Sequence, residues 1–211
     1  MALDSSPQGL GNSESDLEAE LINRSRAGDH EAFGVLIAQN QTRLYHVVLR
    51  LLRDAEDARD IVQDAFLNAY LNLSKFQGNS RFSTWLYRIA VNAAISHRRK
   101  KRPLGIGKEE QGGESLQEAI AGIRSKGDGP HARMDGEERR ALLLETLNGM
   151  SLEHRSVLIL KDIDNLKYET IAEILAVPIG TVRSRLNRAR SELRHRLMKT
   201  EDKGRGVEVN Q

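Results

Sequence analysis

The sequence predicts an all-α protein with two small helical domains joined by a flexible linker, and three observations support this fold class. Apolar residues recur with the helical period over residues 28–102 and again from residue 136. The intervening residues 103–135 are rich in glycine and acidic side chains, with too few large apolar residues to fold alone. Nothing in the pattern argues for a sheet.

These features divide the chain into five parts. We expect a flexible acidic arm over residues 1–26, a helical domain over 27–102, the linker over 103–135, a second helical domain over 136–199 and a flexible tail over 200–211. The N-terminus lacks the cationic start and apolar core of a signal peptide. The absence of cysteine is compatible with a reducing cytosol, and no apolar run approaches membrane-spanning length. A cytoplasmic protein is therefore expected.

The small net charge of +2 conceals a segregation of charge along the chain. Residues 1–40 carry two basic and seven acidic side chains, whereas residues 41–102 carry 12 basic and five acidic ones. Residues 181–199 carry seven basic side chains against one acid. Two cationic segments in separate domains are typical of a protein that binds a polyanion. Solvated charged faces would explain the same pattern.

The segment 54–73 predicts an amphipathic helix with Asp54 as its N-cap. Its inner stripe consists of Ala58, Ile61, Val62, Ala65, Phe66, Ala69, Tyr70 and Leu73. The outer side then carries acidic, amide and leucine side chains, namely Asp60, Gln63, Asp64, Leu67 and Leu71. Acid mixed with exposed leucine favours a docking face, although an ordinary solvated helix side is the commoner explanation of such a pattern.

Residues 82–102 predict a helix that combines an aromatic and an amide with cations. Its polar side carries Trp85, Arg88, Asn92, Ser96 and Arg99, and the preceding loop adds the aromatic Phe76. Rings beside cations suit unpaired nucleic acid, because bases stack on the rings while phosphates are neutralised. A tryptophan by itself is more often a core residue.

Residues 168–197 have the pattern of a helix-turn-helix. Ile171, Ile174 and Leu175 form the inner side of a short helix, a turn over residues 177–180 contains a proline, and a long basic helix follows. The start of this second helix carries Arg183, Ser184 and Arg188, at the end of a recognition helix that reaches base edges in the major groove. An arginine fork matches the two acceptors of guanine. A basic helix in an ordinary bundle is the alternative.

No enzymatic constellation competes with these surfaces. The six histidines are scattered without a second ligand at helical metal spacing, and the GLG and GIG triplets follow no strand. We therefore expect no catalytic activity, no metal, no cofactor and no small-molecule substrate.

Three ordered stretches, DAEDARDIVQDAF, FSTWLYRIAVNAA and YETIAEILAVPIGTVRSRLNRARSEL, resemble the signature segments of extracytoplasmic-function (ECF) sigma factors, the smallest members of the sigma-70 family. The resemblance covers about residues 27–102, region 2 of the family, and 136–198, region 4. Two residues of the turn before the helix-turn-helix depart from it, since Asn165 and Lys167 stand where glycine and serine are more usual.

The resemblance implies a subunit that binds core RNA polymerase, directs it to promoters and opens the duplex. Docking on the β′ clamp helices falls on Asp60, Gln63 and Asp64, with the β flap as a second polymerase contact. Capture of the −10 element falls on Phe76 and Asn92, with Arg88 and Arg99 on the backbone. Reading of the −35 element falls on Arg183, Ser184 and Arg188, and phosphate contacts fall on Thr181, Arg185 and Arg190.

Family habit also implies an anti-sigma factor as a partner. The alternative function is a self-sufficient, dimeric helix-turn-helix regulator that binds duplex DNA. Such a regulator needs neither an acidic docking helix nor an aromatic loop, so the N-terminal domain distinguishes the two. A pure interaction adaptor would leave the two cationic segments unexplained.

Overall fold

The computed structural model describes residues 10–101 and 141–205, and every regular element in these two ranges is helical. The first range contains α1 (Leu10–Arg26), α2 (His30–Leu52), α3 (Ala55–Leu71), a 3₁₀ turn (Leu73–Lys75) and α4 (Phe82–Lys101). The second contains α5 (141–149), α6 (Leu152–Leu158), a π turn (Ile159–Ile163), α7 (Tyr168–Leu175) and α8 (Ile179–Arg205). The prediction of two all-helical regions is confirmed.

Local sequence accounts for the breaks between the first helices. Asp29 caps α2 by accepting a hydrogen bond from the N–H of Ala32, and α2 ends where Arg53 adopts a left-handed conformation with φ of 68°. The next residue, Asp54, accepts a hydrogen bond of 2.9 Å from the N–H of Asp57. The predicted N-cap of α3 is therefore confirmed, and this cap satisfies one of the free N–H groups of the helix.

Two expected boundaries differ from the structure. The segment expected as a flexible arm forms α1 from Leu10 to Arg26, because Ile22 is buried in the core and holds the helix in place. At the other end α8 continues to Arg205, beyond the expected start of the tail at residue 200. The expected linker over residues 103–135 and the end of the tail from residue 206 lie outside the described residues.

The helix-turn-helix is present, with a tighter turn than the sequence pattern indicates. Ala176 ends α7 in the left-handed region at φ 53°, and the carbonyl of Pro178 accepts hydrogen bonds from the N–H groups of Thr181 and Val182. The second helix therefore begins at Ile179, two residues inside the predicted turn. Val182, Leu186 and Ala189 are buried on its inner side.

The unusual turn before α7 has a direct physical explanation at Asn165. This residue has φ of 54°, which is the left-handed region that glycine adopts most readily and asparagine tolerates better than most residues. At the N-cap, Lys167 has an extended backbone but makes no side-chain hydrogen bond to the helix. The departure at position 167 thus removes the cap that a serine would provide.

Apolar side chains of both domains belong to one continuous core. Polar contacts between described residues cross the same boundary, and three of them bear on the site. Arg43 of α2 donates to the side chain of Asp164 at 3.2 Å and to its carbonyl at 2.7 Å. Arg155 of α6 donates to the carbonyl of Leu51 at 3.1 Å. The third contact joins α4 to α7 and is described with the site below.

We expect Lys167→Ser to raise the free energy of unfolding by about 1 kcal/mol, because the serine hydroxyl can accept from a free N–H of α7. Thermal denaturation should show a midpoint about 2–4 °C higher for a chain of this size. Lys167→Ala is the matched control, since it removes a cation from the helix N-terminus without supplying an acceptor. Equal midpoints for the two variants would contradict the capping argument.

Candidate functional site

The outward face of α3 is an exposed acidic and apolar surface. Asp60, Gln63 and Asp64 all point to solvent, and the side chains of Leu67 and Leu71 are 56% and 66% exposed. The predicted inner stripe is buried, apart from the half-buried Tyr70. Exposed leucines flanked by acids form a contiguous surface that can bury apolar area against a partner while the acids meet cations.

The polar side of α4 forms a second surface. Arg88, Asn92 and Arg99 are exposed on it, as predicted. The amide Nδ2 of Asn92 donates to the carbonyl of Ile174 at 3.4 Å, which is the third contact between the domains. A groove between α4 and α7 lies beside this contact and is lined by Asn79, Ser80, Thr84, Trp85, Arg88 and Glu173.

The ring of Phe76, which the sequence analysis expected to stack on a base, is not open to solvent in this structure. The side chain is only 6% exposed, with its ring centroid 5.1 Å from that of Trp85 and 6.1 Å from that of Phe82. The sequence placed Phe76 in a polar loop but could not show that the loop folds back onto this aromatic cluster. The half-buried Trp85 is the cluster member that also lines the groove.

Part of the basic run at the end of α4 has structural partners. Arg98 donates to the carbonyl of Leu52 at 2.7 Å, and Lys101 pairs with Asp57 at 2.7 Å. His97 also lies 3.1 Å from the Asp57 carboxylate. Burial tends to raise the pKa of Asp57, but the bonds from Lys101 and His97 outweigh it and leave that pKa below its usual value.

The recognition helix α8 presents its predicted base-reading residues to solvent. Arg183, Ser184 and Arg188 are all exposed on its first turns. The guanidinium carbon of Arg183 lies 5.9 Å from the ring centroid of Tyr168, a cation–π contact that holds the arginine beside the helix N-terminus. The side chain of Ser184 donates to the carbonyl of Thr181 at 3.0 Å.

Two of the residues predicted to contact phosphates already form ion pairs with acidic side chains. Arg185 pairs with Glu153 at 3.1 Å, and Arg190 makes a two-point contact with Asp162, whose longer bond is 3.1 Å. The bond to Asp162 raises the pKa of Arg190 above its ordinary value. Thr181 is half-buried. Neither acid lies near these arginines in sequence, so the pairing could not be predicted from spacing.

Two residues of α1 also reach this site and were missed by sequence reasoning. Arg26 donates to the carbonyls of Leu73 and Phe76, the former at 3.1 Å. Glu18 accepts from the N–H of Phe82 at 3.0 Å. The sequence signal was a helical period in residues 10–26 too weak to separate from a polar arm, since the only buried apolar side chain described there is Ile22.

Comparison with known proteins identifies both domains. The Sigma-70 region 2 family model matches residues 36–103, and the Sigma-70 region 4 model matches residues 140–193. The chain is 35% identical over 180 residues to the RNA polymerase sigma-H factor of Pseudomonas aeruginosa, covering 83% of this chain and 91% of the relative. It is 36% identical over 177 residues to the ECF RNA polymerase sigma factor SigW of Bacillus subtilis, covering 83% and 94%.

Solved structures share the fold. CnrH, solved in complex with the cytosolic domain of CnrY, has a TM-score of 0.62 and 24% identity over 87% of this chain and 98% of its own. RpoE of Bartonella quintana, solved with the anti-sigma factor NepR, has a TM-score of 0.57 and 24% identity over 85% and 98%.

The chain belongs to the ECF sigma factors of the sigma-70 family. Its role is that of a sigma factor in transcription initiation, and sigma factors are not catalytic enzymes. The alternative of a dimeric regulator is not favoured, because the N-terminal domain matches region 2. In the described ranges no helix is long and apolar enough to cross a membrane.

The burial of Phe76 leads to a prediction that distinguishes a core ring from a ring that is free to stack on a base. We expect Phe76→Ala to lower the free energy of unfolding by about 3–5 kcal/mol, because it removes a buried ring from the aromatic cluster. Leu67→Ala, on the exposed face of α3, should change it by about 0.5 kcal/mol or less. Urea denaturation of both variants measures this difference. Equal stability of the two variants would mean that the ring does not belong to the core.

Proposed function

We propose that three surfaces of this chain divide the work of a sigma factor. The outer face of α3 binds the β′ clamp helices of core RNA polymerase. The loop over residues 76–81 and the polar side of α4 hold the opened strand of the −10 element. The exposed side of α8 reads the −35 element as duplex.

The observation that carries the proposal is the α3 face. Asp60 and Asp64 lie on the same exposed side of the helix as Leu67 and Leu71, and neither carboxylate forms an ion pair within the described residues. Two exposed leucines do not make a helix more soluble, because large apolar side chains are more stable when they leave water. Their exposure therefore indicates a surface for a partner. Docking on a cationic and apolar helix surface of the polymerase accounts for both features.

The α4 surface supports capture of unpaired bases through Asn92. Its amide can hydrogen-bond a base edge, and the exposed Arg88 and Arg99 can neutralise the adjoining phosphates. Since Phe76 is buried, its proposed part in −10 recognition is to support the loop from inside the cluster. Unstacking a base costs a few kcal/mol, which the holding groups must offset. The bond from Asn92 to Ile174 must break before that amide meets a base.

The α8 surface supports reading of the −35 element. Arg183, Ser184 and Arg188 occupy the exposed first turns of a recognition helix. Thr181, Arg185 and Arg190 flank them and are proposed to hold phosphates. Arg185 and Arg190 would exchange their present carboxylate partners for phosphate oxygens, so part of their binding energy is offset by the lost ion pairs.

The remaining proposed partners follow from the family. An anti-sigma factor is proposed to hold the protein inactive, and the β flap of polymerase is proposed to contact region 4. The protein is proposed to act in the cytoplasm, where polymerase and promoter DNA are found, and to have no catalytic activity of its own. No cofactor enters this scheme.

We expect the wild-type chain to direct core polymerase to specific promoters in a run-off assay on a promoter library, and Asp60→Lys with Asp64→Lys to abolish this activity. The reversal of two charges on the docking face should prevent association with core, measured by co-purification. Folding should survive, because both side chains are exposed. Asp16→Lys with Glu20→Lys, a matched charge reversal on α1, should co-purify normally. Co-purification of the α3 double variant at wild-type yield would contradict the assignment.

For the −35 element we expect Arg183→Ala or Arg188→Ala to weaken recognition by about 1–3 kcal/mol and to relax the preference at one base position. Arg190→Ala should weaken binding to all sequences alike, because a phosphate contact carries no sequence information. Binding of polymerase holoenzyme to a set of −35 variants measures both effects. A uniform loss for all three substitutions would overturn the base-reading assignment.

A further inference from the structure

Helix α1 lies outside the part of the chain that the region 2 family model matches, which begins at residue 36. Its packing is nevertheless specific. Ile22 is 5% exposed and Ser25 is 4% exposed, and the hydroxyl of Ser25 donates to the carbonyl of Leu21 at 2.7 Å. The buried side of α1 therefore fixes the direction in which its polar side chains point.

Two of those polar side chains form hydrogen bonds with the backbone at both ends of the loop before α4. At the loop's start, the guanidinium of Arg26 donates to the carbonyls of Leu73 and Phe76. At the loop's end, the carboxylate of Glu18 accepts from the N–H of Phe82 at 3.0 Å. These contacts span 47 to 64 residues of sequence, so they are tertiary restraints and not local turn bonds.

Glu18 supplies a charge that α4 lacks. The first turn of α4 has no acidic residue, although a carboxylate at this position interacts favourably with the N-terminal end of the helix dipole and with its free N–H groups. Glu18 provides that carboxylate from α1. A hydrogen bond to a charged group is stronger than a neutral one, so the start of α4 is held firmly.

Between these two hydrogen-bonded ends, the loop is exposed to solvent. Gln77, Gly78, Asn79 and Arg81 are all open to solvent, and Gly78 has φ of 73°, a conformation that favours glycine. Asn79 lines the groove between α4 and α7. A short exposed loop with fixed ends has fewer conformations than one with free ends, so less conformational entropy is lost when it binds a strand.

We propose that Arg26 and Glu18 are positioning residues for promoter opening: they hold the loop over residues 76–81 in the shape that receives the unpaired −10 strand. This inference rests on the proposed function of the loop and of Asn92. Neither residue touches the DNA. Each acts through the backbone of the loop. Loss of the hydrogen bonds of either residue lets the loop move while the aromatic cluster beneath it stays in place.

The test compares variants of the full chain in polymerase holoenzyme. Permanganate reactivity of thymines around the −10 element reports opening of the duplex promoter, and retention of holoenzyme on a promoter made single-stranded over the −10 region by mismatches reports binding of a strand that is already unpaired. Arg26→Ala should slow opening of the duplex about tenfold or more, as expected for loss of hydrogen bonds from a charged group. Arg26→Lys, which can reach one carbonyl at a time, should fall between wild type and alanine. Glu18→Ala should behave like Arg26→Ala, and Glu18→Gln, which keeps an acceptor but loses the charge, should fall between wild type and alanine.

The matched controls lie on the same helix. Arg24→Ala removes an exposed arginine whose partner is Asp29, and Glu20→Ala removes an exposed acid. Both should open the promoter at the wild-type rate. Core binding by Arg26→Ala should equal wild type, and its complex on the mismatched promoter should be impaired less than on the duplex, because mismatches remove the cost of unpairing while the loop still has to hold the strand.

Asn92→Ala serves as the reference for direct contact with the strand. If it blocks opening while Arg26→Ala opens the duplex at the wild-type rate, the positioning role is overturned and the proposed function stands. If Asn92→Ala also opens at the wild-type rate, both fail together. A loss of core binding and of activity on the mismatched promoter in Arg26→Ala would assign that residue to general stability and overturn the positioning role as well.

Discussion

The two domains meet at the buried guanidinium of Arg155, which joins helix ends of both domains by hydrogen bonds. The side chain is 1% exposed and donates to carbonyls at the end of α5, those of Leu147, Asn148 and Met150. It also donates to the carbonyl of Leu51, at the end of α2. Carbonyls in the last turn of a helix lack partners within it. One cation thus satisfies helix ends from both domains, and its loss would leave several buried acceptors unpaired.

The ion pair of Arg43 with Asp164 lies near this junction and shares its electrostatics. The side chain of Asp164 is only 8% exposed, so its charge acts on neighbours within a poorly solvated region. Burial raises the pKa of Tyr87, and the nearby Asp164 carboxylate raises it further. Burial lowers the pKa of Arg50, and Asp164 partly offsets that effect. The Asp164 carboxylate therefore partly compensates buried cationic charge where the two domains meet.

Features set by local sequence were predictable, and features set by distant contacts were not. The buried stripe of α3, the cap at Asp54 and the helix-turn-helix followed from periodicity and turn chemistry within a few residues. The burial of Phe76 depends on Trp85 and Phe82, which lie in the next helix. Of the candidate site, the exposed faces of α3, α4 and α8 were predicted, whereas the contacts of α1 with the loop were not, because hydrogen bonds to backbone N–H and carbonyl groups leave no pattern in the sequence.

The same contacts change how the positive charge of the chain should be understood. The sequence suggests two broad cationic segments, but Arg98 and Lys101 are held by α2 and α3, and Arg185 and Arg190 are paired with acids. A cation that already has an acidic partner releases fewer counterions when it meets a phosphate, since the partner must be displaced. The salt-sensitive part of DNA binding should then depend mainly on exposed arginines without an acidic partner among the described residues. These include Arg88 and Arg99 on α4 and Arg183 and Arg188 on α8.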